Sequence, residues 1–159
     1  MKRENNLGRH FASVMLTFAV CAGPLQAQEN DVRAAIEQIF EGMRTANADM
    51  VRAVFAPGSR FSVIDTQDVQ DRIASKSPDG WFNSIGESEG RWDEQVYDVE
   101  IQVDENMASA WVPYTFYLDG NISHCGINSI ELLMDSERWK VTQIADTRRR
   151  DDCPDPLSN

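Results

Sequence analysis

Histidine and cysteine are scarce in this chain, with two and three copies in 159 residues. That scarcity leaves little for metal chemistry, because a metal site needs several converging ligands. His10 and Cys21 stand near the amino terminus, which leaves His124, Cys125 and Cys153. His124 and Cys125 are neighbours in a strand-like run and project to opposite faces, so we expect no metal. A glycine-rich phosphate loop, a His-Glu-x-x-His helix and a Cys-x-x-Cys pair are missing, and no cofactor is expected. Basic charge is also short. Lys and Arg number 15 against 26 Asp and Glu, a net charge of −11, and such a surface repels nucleic acid and anionic lipid. The one basic run, Arg148-Arg149-Arg150, is followed at once by Asp151-Asp152 and reads as a solvated or ion-paired end of the last strand.

Long apolar runs are missing too. The run Phe11 to Cys21 is shorter than the roughly 20 residues that cross a bilayer as a helix. Lys2, Arg3 and Arg9 precede it, Pro24 follows it, and Leu25-Gln26-Ala27 closes on a small residue. This is the layout of a secretory signal peptide, residues 1–27, cut after Ala27. Lipidation at Cys21 is the alternative, for which Phe18-Ala19-Val20 is a poor lead-in. Cleavage removes three basic side chains and Glu4, which takes the net charge from −11 to −13. The expected location is periplasmic or secreted, with no membrane attachment once the signal is gone. Residues 28–159 carry no linker, repeat or low-complexity tract and are expected to form a single domain around one core.

Val32, Ile36, Ile39, Phe40, Met43 and Ala46 fall at helical spacing and draw one apolar stripe, with Asn30 or Asp31 as cap and Asn47 at the end. Asp49 is placed to cap a second, short helix that Pro57-Gly58 stops. A strand at Arg60–Asp65 follows, then a polar segment in which Ser77-Pro78-Asp79 starts a third helix over Asp79–Ile85. A long strand from about Arg91 alternates Tyr97, Val99, Ile101 and Val103 with Asp98, Glu100 and Gln102. Next comes Met107–Leu118, in which Pro113 calls for a bulge or an edge. Asp119-Gly120 then turns the chain into a hairpin, because both residues suit positive φ. A simple two-residue turn pairs Phe116 with Ser123, Thr115 with His124 and Tyr114 with Cys125. It puts His124, Gly126, Asn128 and Ile130 on one face and Cys125 and Ile127 on the other. The final strand is Trp139–Asp146. The order predicts an α+β fold in which a curved antiparallel sheet wraps around the long first helix, with two shorter helices beside it.

The pattern Asp49-x-x-x-Ala53-x-Phe55-Ala56-Pro57 leading to Phe61, the His124-Cys125-Gly126 strand and Trp139-Lys140-Val141 resemble the nuclear transport factor two-like superfamily. Within it, the chain is most similar to secreted bacterial members of the SnoaL-like and lumazine-binding groups. The resemblance covers nearly all of residues 28–159 and implies a cone-shaped, cystatin-like fold open at one end. Such cones serve isomerases, dehydratases, cyclases, plain binding and subunit association, so the fold does not choose a function.

Within such a cone His124 is the candidate general acid or base, since its intrinsic pKa lies near neutrality, and Asn128 is placed to hold a substrate oxygen. Asp65 shares the parity of Phe61 and Val63 and is a second catalytic candidate, a carboxylate base raised by an apolar setting. Tyr97 and Tyr114 offer phenols. Trp81, Trp92 and Trp111 offer aromatic walls, and Trp111 shares the face of His124 in the simple register. His124 has no convincing titratable partner, and acid–base catalysis usually needs a tuned pair. A domain that holds a small, mostly apolar ligand without turnover is therefore favoured. An acid–base enzyme using His124 and Asp65, and a homodimeric association module, are the alternatives. Cys125 and Cys153, an even pair in an exported protein, are expected to form a disulfide that pins Pro154–Asn159 beside His124.

Overall fold

The apolar stripe near the amino terminus becomes the spine of the fold. In the computed structural model, which describes residues 24–65 and 74–158, Val32, Ile36, Ile39 and Met43 are buried along one side of α1 (Pro24–Arg44). The helix starts well before Asn30. Pro24 sits in its first turn, where a missing N–H is harmless, and Leu25-Gln26-Ala27 are good helix formers. Residues 1–23 of the expected leader lie outside the described residues, and its last four open α1. Ala46 then turns the chain with φ 51°. Asn47, rather than Asp49, caps α2 (Ala48–Arg52), its side chain accepting from the Met50 N–H at 3.0 Å. No helix among the described residues is long and apolar enough to cross a membrane.

Among the described residues, strands β1 (Phe55–Asp65), β2 (Ala74–Lys76), β3 (Trp92–Val96), β4 (Glu100–Asp104), β5 (Met107–Leu118), β6 (Asn121–Asp135) and β7 (Arg138–Arg148) form one curved sheet, with α3 (Asp79–Glu87) between β2 and β3 in the chain. The order across the sheet is β2-β1-β7-β6-β5-β3, and β4 shares the same side of β5 as β3. The sheet is mixed, not wholly antiparallel, because β1 runs parallel to β7. That pairing sets an early strand against the last one, an adjacency that no local pattern encodes. The sheet wraps α1, which meets β3, β4 and β7.

Besides the shift between Phe55 and Arg60 in β1, where Gly58 has φ 77°, three irregularities among the described residues interrupt the alternation of side chains. The first follows the hairpin turn, where Asp119 and Gly120 have φ 52° and 80°, as a type I′ turn requires. Leu118 pairs with Asn121 and Tyr117 with Ile122, but Phe116 pairs with His124, so Ser123 is an extra residue in a β-bulge. The simple register is thereby corrected by one residue, and Trp111, opposite Ser129, falls on the outer face, 52% exposed. The second splits the expected long strand. β3 pairs with Tyr114–Leu118 and β4 with Met107–Trp111, and between them Asp98 has φ 48°. Pro113 faces the break. Its carbonyl accepts from the Tyr97 N–H at 3.2 Å, but on that side it has no N–H to return. The third lies in β7, where Ile144 pairs with Ile130 but Val141 pairs with Leu132, leaving Thr142 as the extra residue. Trp139 and Val141 are buried at one end of this strand, Ile144 and Asp146 at the other.

Cys125 and Cys153 are joined by a disulfide with a Cα separation of 5.6 Å. Cys125 and Arg149 exchange two backbone hydrogen bonds of 2.9 Å, and this pair extends the β6–β7 ladder and carries the tail to the bridge. The tail lies on the outer face and not beside His124. Thr115 donates to the Pro154 carbonyl at 2.8 Å and Tyr117 to the Asp155 carboxylate at 2.6 Å, and both side chains alternate with the inward-facing Tyr114 and Phe116. The bridge spans 28 residues of chain, a closure worth about 3–4 kcal/mol in the chain-entropy model. Urea unfolding of the oxidised protein and of the same protein in excess dithiothreitol should differ by that amount. Equal stabilities would show that the bridge does not constrain the unfolded chain.

Candidate functional site

A cavity of about 170 Å³ lies between α1, α3 and the inner face of the sheet. One part of its wall is apolar. Ile39, Phe40 and Met43 line it from α1. Phe61 and Trp81 stack nearly parallel at 5.0 Å, and Trp92 meets Phe116 edge-on at 5.7 Å, so flat aromatic faces bound the space. The remainder of the wall is polar, built from Glu94, His124, Asn128, Asp146 and Arg148.

Each polar group reaches the cavity through the sheet register. Glu94 stands on β3 opposite Phe116, Asn128 on β6 opposite Asp146, and His124 opposite Phe116 because of the Ser123 bulge. The Asn128 amide donates to Glu94 Oε1 at 2.7 Å across β5. Arg148 Nε donates to Asp146 Oδ2 at 2.7 Å. Tyr114 is fully buried and stands behind this pair: its hydroxyl donates to the Thr147 carbonyl at 3.0 Å and lies 3.4 Å from Asp146 Oδ2. Gly126, the β-partner of Tyr114, makes that contact possible, since a Cβ there would sit 1.7 Å from the Thr147 oxygen. His124 Nδ1 is 3.1 Å from Ser123 Oγ, and its ring lies 5.0 Å from Phe116 and 5.7 Å from Tyr114.

Burial tunes the acids upward. The Glu94 carboxyl is pushed up to about 7, chiefly by desolvation, with the Asn128 hydrogen bond opposing and the Asp146 charge adding to the rise. Desolvation also raises Asp146, against the pull of Arg148. The Tyr114 phenol is raised by burial and by the Glu94 and Asp146 charges, so it stays neutral and acts as a donor.

Of the residues singled out from the sequence, the structure brings His124, Asn128, Trp81 and Trp92 to the cavity wall. Tyr114 lies behind the wall. Trp111 is outside, for the register reason above, and Tyr97 marks the break between β3 and β4. Asp65 ends β1 with its backbone opposite Arg148, and its side chain lies outside the described residues. Glu94, Asp146 and Arg148 were not singled out. Alternation counted back from Val99, Ile101 and Val103, or forward from Trp139 and Val141, assigns Glu94, Asp146 and Arg148 to the outer face, and the Asp98 kink and the Thr142 bulge reverse that. Of the two readings of the arginine run, Arg148 takes the ion-paired one, at the end of the last strand, and its partner is Asp146 on the cavity wall and not the following acids. Gly86-Glu87-Ser88-Glu89-Gly90 has the letters of a Gly-x-Ser-x-Gly nucleophile elbow. It closes α3 instead of following a strand, and Ser88 donates to the Gly90 carbonyl at 2.8 Å. Among the described residues no group of three or more His, Cys, Asp or Glu is arranged to hold a metal ion.

Neither a family model nor a curated protein matches this sequence. Solved structures do. An NTF2-like protein of unknown function from Shewanella baltica aligns with a TM-score of 0.65 at 14% identity, over 81% of this chain and 99% of its own. A candidate scytalone dehydratase from Novosphingobium aromaticivorans aligns at 0.64 and 10% identity, over 78% of this chain and 85% of its own. The β subunit of a candidate aromatic-ring-hydroxylating dioxygenase from the same organism aligns at 0.65 and 11% identity, over 79% and 91%. The chain therefore has the cystatin-like fold of NTF2-like proteins, a fold with both ligand-binding and enzymatic members.

Glu94 binds its proton more tightly in the folded state, about 7 against 4.5. Its contribution to stability is complete below pH 4.5 and is lost as pH rises through about 7, at a cost on the order of 3 kcal/mol. Glu94→Gln, neutral at every pH, should gain stability relative to wild type at pH 8 but not at pH 4. An offset between the two urea curves that is the same at both pH values would contradict the tuning.

Proposed function

We propose that this protein is an acid–base enzyme of isomerase or dehydratase type that acts on a small, mostly apolar molecule. The observation that carries this is Glu94, a carboxyl pushed up to about 7 in an aromatic-walled cavity that also holds the buried Asp146. A carboxyl poised at neutrality is populated as acid and as base, so it can take a proton and return it within one turnover. Asn128 fixes one Glu94 oxygen. Arg148, two residues along β7, holds Asp146, and His124 supplies a further proton-transfer group on the same wall. The apolar wall limits water, which strengthens these interactions.

The sequence alone gives His124 no titratable partner and so favours binding without turnover, whereas Glu94 and Asp146 line the same cavity as His124 and remove that ground. The fold shared with a candidate scytalone dehydratase is compatible with dehydration chemistry here. We further propose a periplasmic or secreted location, which the Cys125–Cys153 bond and the leader-like amino terminus support.

5-Nitrobenzisoxazole tests the base directly, because this neutral ring compound opens when one carbon-bound proton is removed. The protein should open it with saturation kinetics and a rate that rises with an apparent pKa of about 7, and Glu94→Gln should lower that rate about a hundredfold or more, the usual range for losing a general base. Ring opening no faster than in buffer, or unchanged in Glu94→Gln, would overturn the proposal.

A further inference from the structure

We propose that Asn128 is a positioning residue, whose amide holds Glu94 Oε1 and leaves Oε2 as the oxygen that takes and returns the proton. The proposal rests on the acid–base reading of the same cavity, and it gives Asn128 a different task from the substrate contact expected of it from the sequence. The geometry is specific. Asn128 is 7% exposed on β6, with Asp146 as its β-partner, and its Nδ2 donates to Glu94 Oε1 at 2.7 Å. Oε2 accepts no hydrogen bond among the described residues, and it is not one of the buried atoms closed off from the cavity, as Asp146 Oδ1 is. The two Glu94 oxygens are therefore unlike, one tied and one open.

An amide N–H can only donate, so it draws on an Oε1 lone pair whether the carboxyl is ionised or protonated. The carbonyl oxygen of a protonated carboxyl is a better acceptor than its hydroxyl oxygen, and the proton accordingly sits on Oε2. A neutral donor also suits the charge balance. Desolvation pushes Glu94 up to about 7, Asn128 opposes it, Asp146 adds to the rise and Arg148 lowers it. His124 on β6 and Tyr114 on β5 complete the titratable groups around this wall among the described residues. A cationic donor in place of Asn128 would hold the carboxyl ionised and make it a weak base, whereas no donor at all would leave it protonated at neutral pH.

Asn128→Leu, close in size and without a donor, tests the assignment. Infrared spectra at pH 5, with Glu94 identified by the loss of its band in Glu94→Gln, should show the Glu94 C=O stretch at higher wavenumber in Asn128→Leu than in wild type, because the carbonyl oxygen has lost its amide. The Glu94 titration midpoint, read by carbon-13 NMR, should rise above 7 by about one pH unit or more. The pH–rate profile for 5-nitrobenzisoxazole should move with it. In that reaction the C–H proton passes to Oε2, the C–H electron pair completes a nitrile, and the N–O bond breaks to release a phenolate. A side chain needed for the fold alone would move neither the stretch nor the midpoint. Should Asn128→Leu fail to fold, wild type decides: the Asn128 side-chain N–H signal should titrate together with Glu94 and cease to do so in Glu94→Gln. A stretch or a midpoint unchanged in Asn128→Leu, or an Asn128 signal indifferent to pH in wild type, would overturn the proposal. If 5-nitrobenzisoxazole is not opened but the stretch and the midpoint both move, the acid–base reading falls and the hold of Asn128 on Glu94 Oε1 stands.

Discussion

The site depends on a sheet that must bend around a helix. α1 buries Val32, Ile36, Ile39 and Met43, and a flat sheet cannot cover such a cylinder. Bulges and kinks supply the bend, because an extra residue increases local twist. The same extra residue reverses which face the following side chains occupy. Curvature and site composition are therefore one event here. Ser123, Asp98 and Thr142 each lie where the pattern slips, and the slips put His124, Glu94, and Asp146 with Arg148 on the inner face.

Bringing acids inward is expensive, and the surrounding residues show how the fold accommodates it. Glu94 is held by an amide and Asp146 by a guanidinium, and neither arrangement cancels the desolvation that raises both carboxyls. Tyr114 stays protonated in the same region and braces the backbone at Thr147. Gly126 permits that brace, since any side chain there would collide with the Thr147 carbonyl. The outer face is tied separately. The disulfide and the Thr115 and Tyr117 hydrogen bonds hold the tail over β5, away from the chemistry.

Local features of the sequence carried much of the fold. The α1 stripe, the Asp119-Gly120 turn and the third helix at Asp79 follow from short-range rules, the Cys125–Cys153 pairing follows from an even cysteine count, and each is present. Features that depend on distant partners were illegible. The parallel β1–β7 pairing joins elements far apart in the chain. Within the site, Asn128 and His124 could be placed on one face because alternation along β6 holds from His124 to Ile130. Glu94, Asp146 and Arg148 could not, because each lies beyond an irregularity from the residues used to set the parity. A proline with no N–H to offer, Pro113, was a visible cue for the break opposite it, but it did not say which strand would yield.

The central claim is that the bent sheet holds Glu94 inside the cavity as a carboxyl tuned to neutrality. Carbon-13 NMR of protein labelled at the glutamate carboxyl, with Glu94 assigned by comparison with Glu94→Gln, measures this without any substrate. The account predicts a Glu94 titration midpoint near 7, and a midpoint at the ordinary value of 4.5 would contradict it.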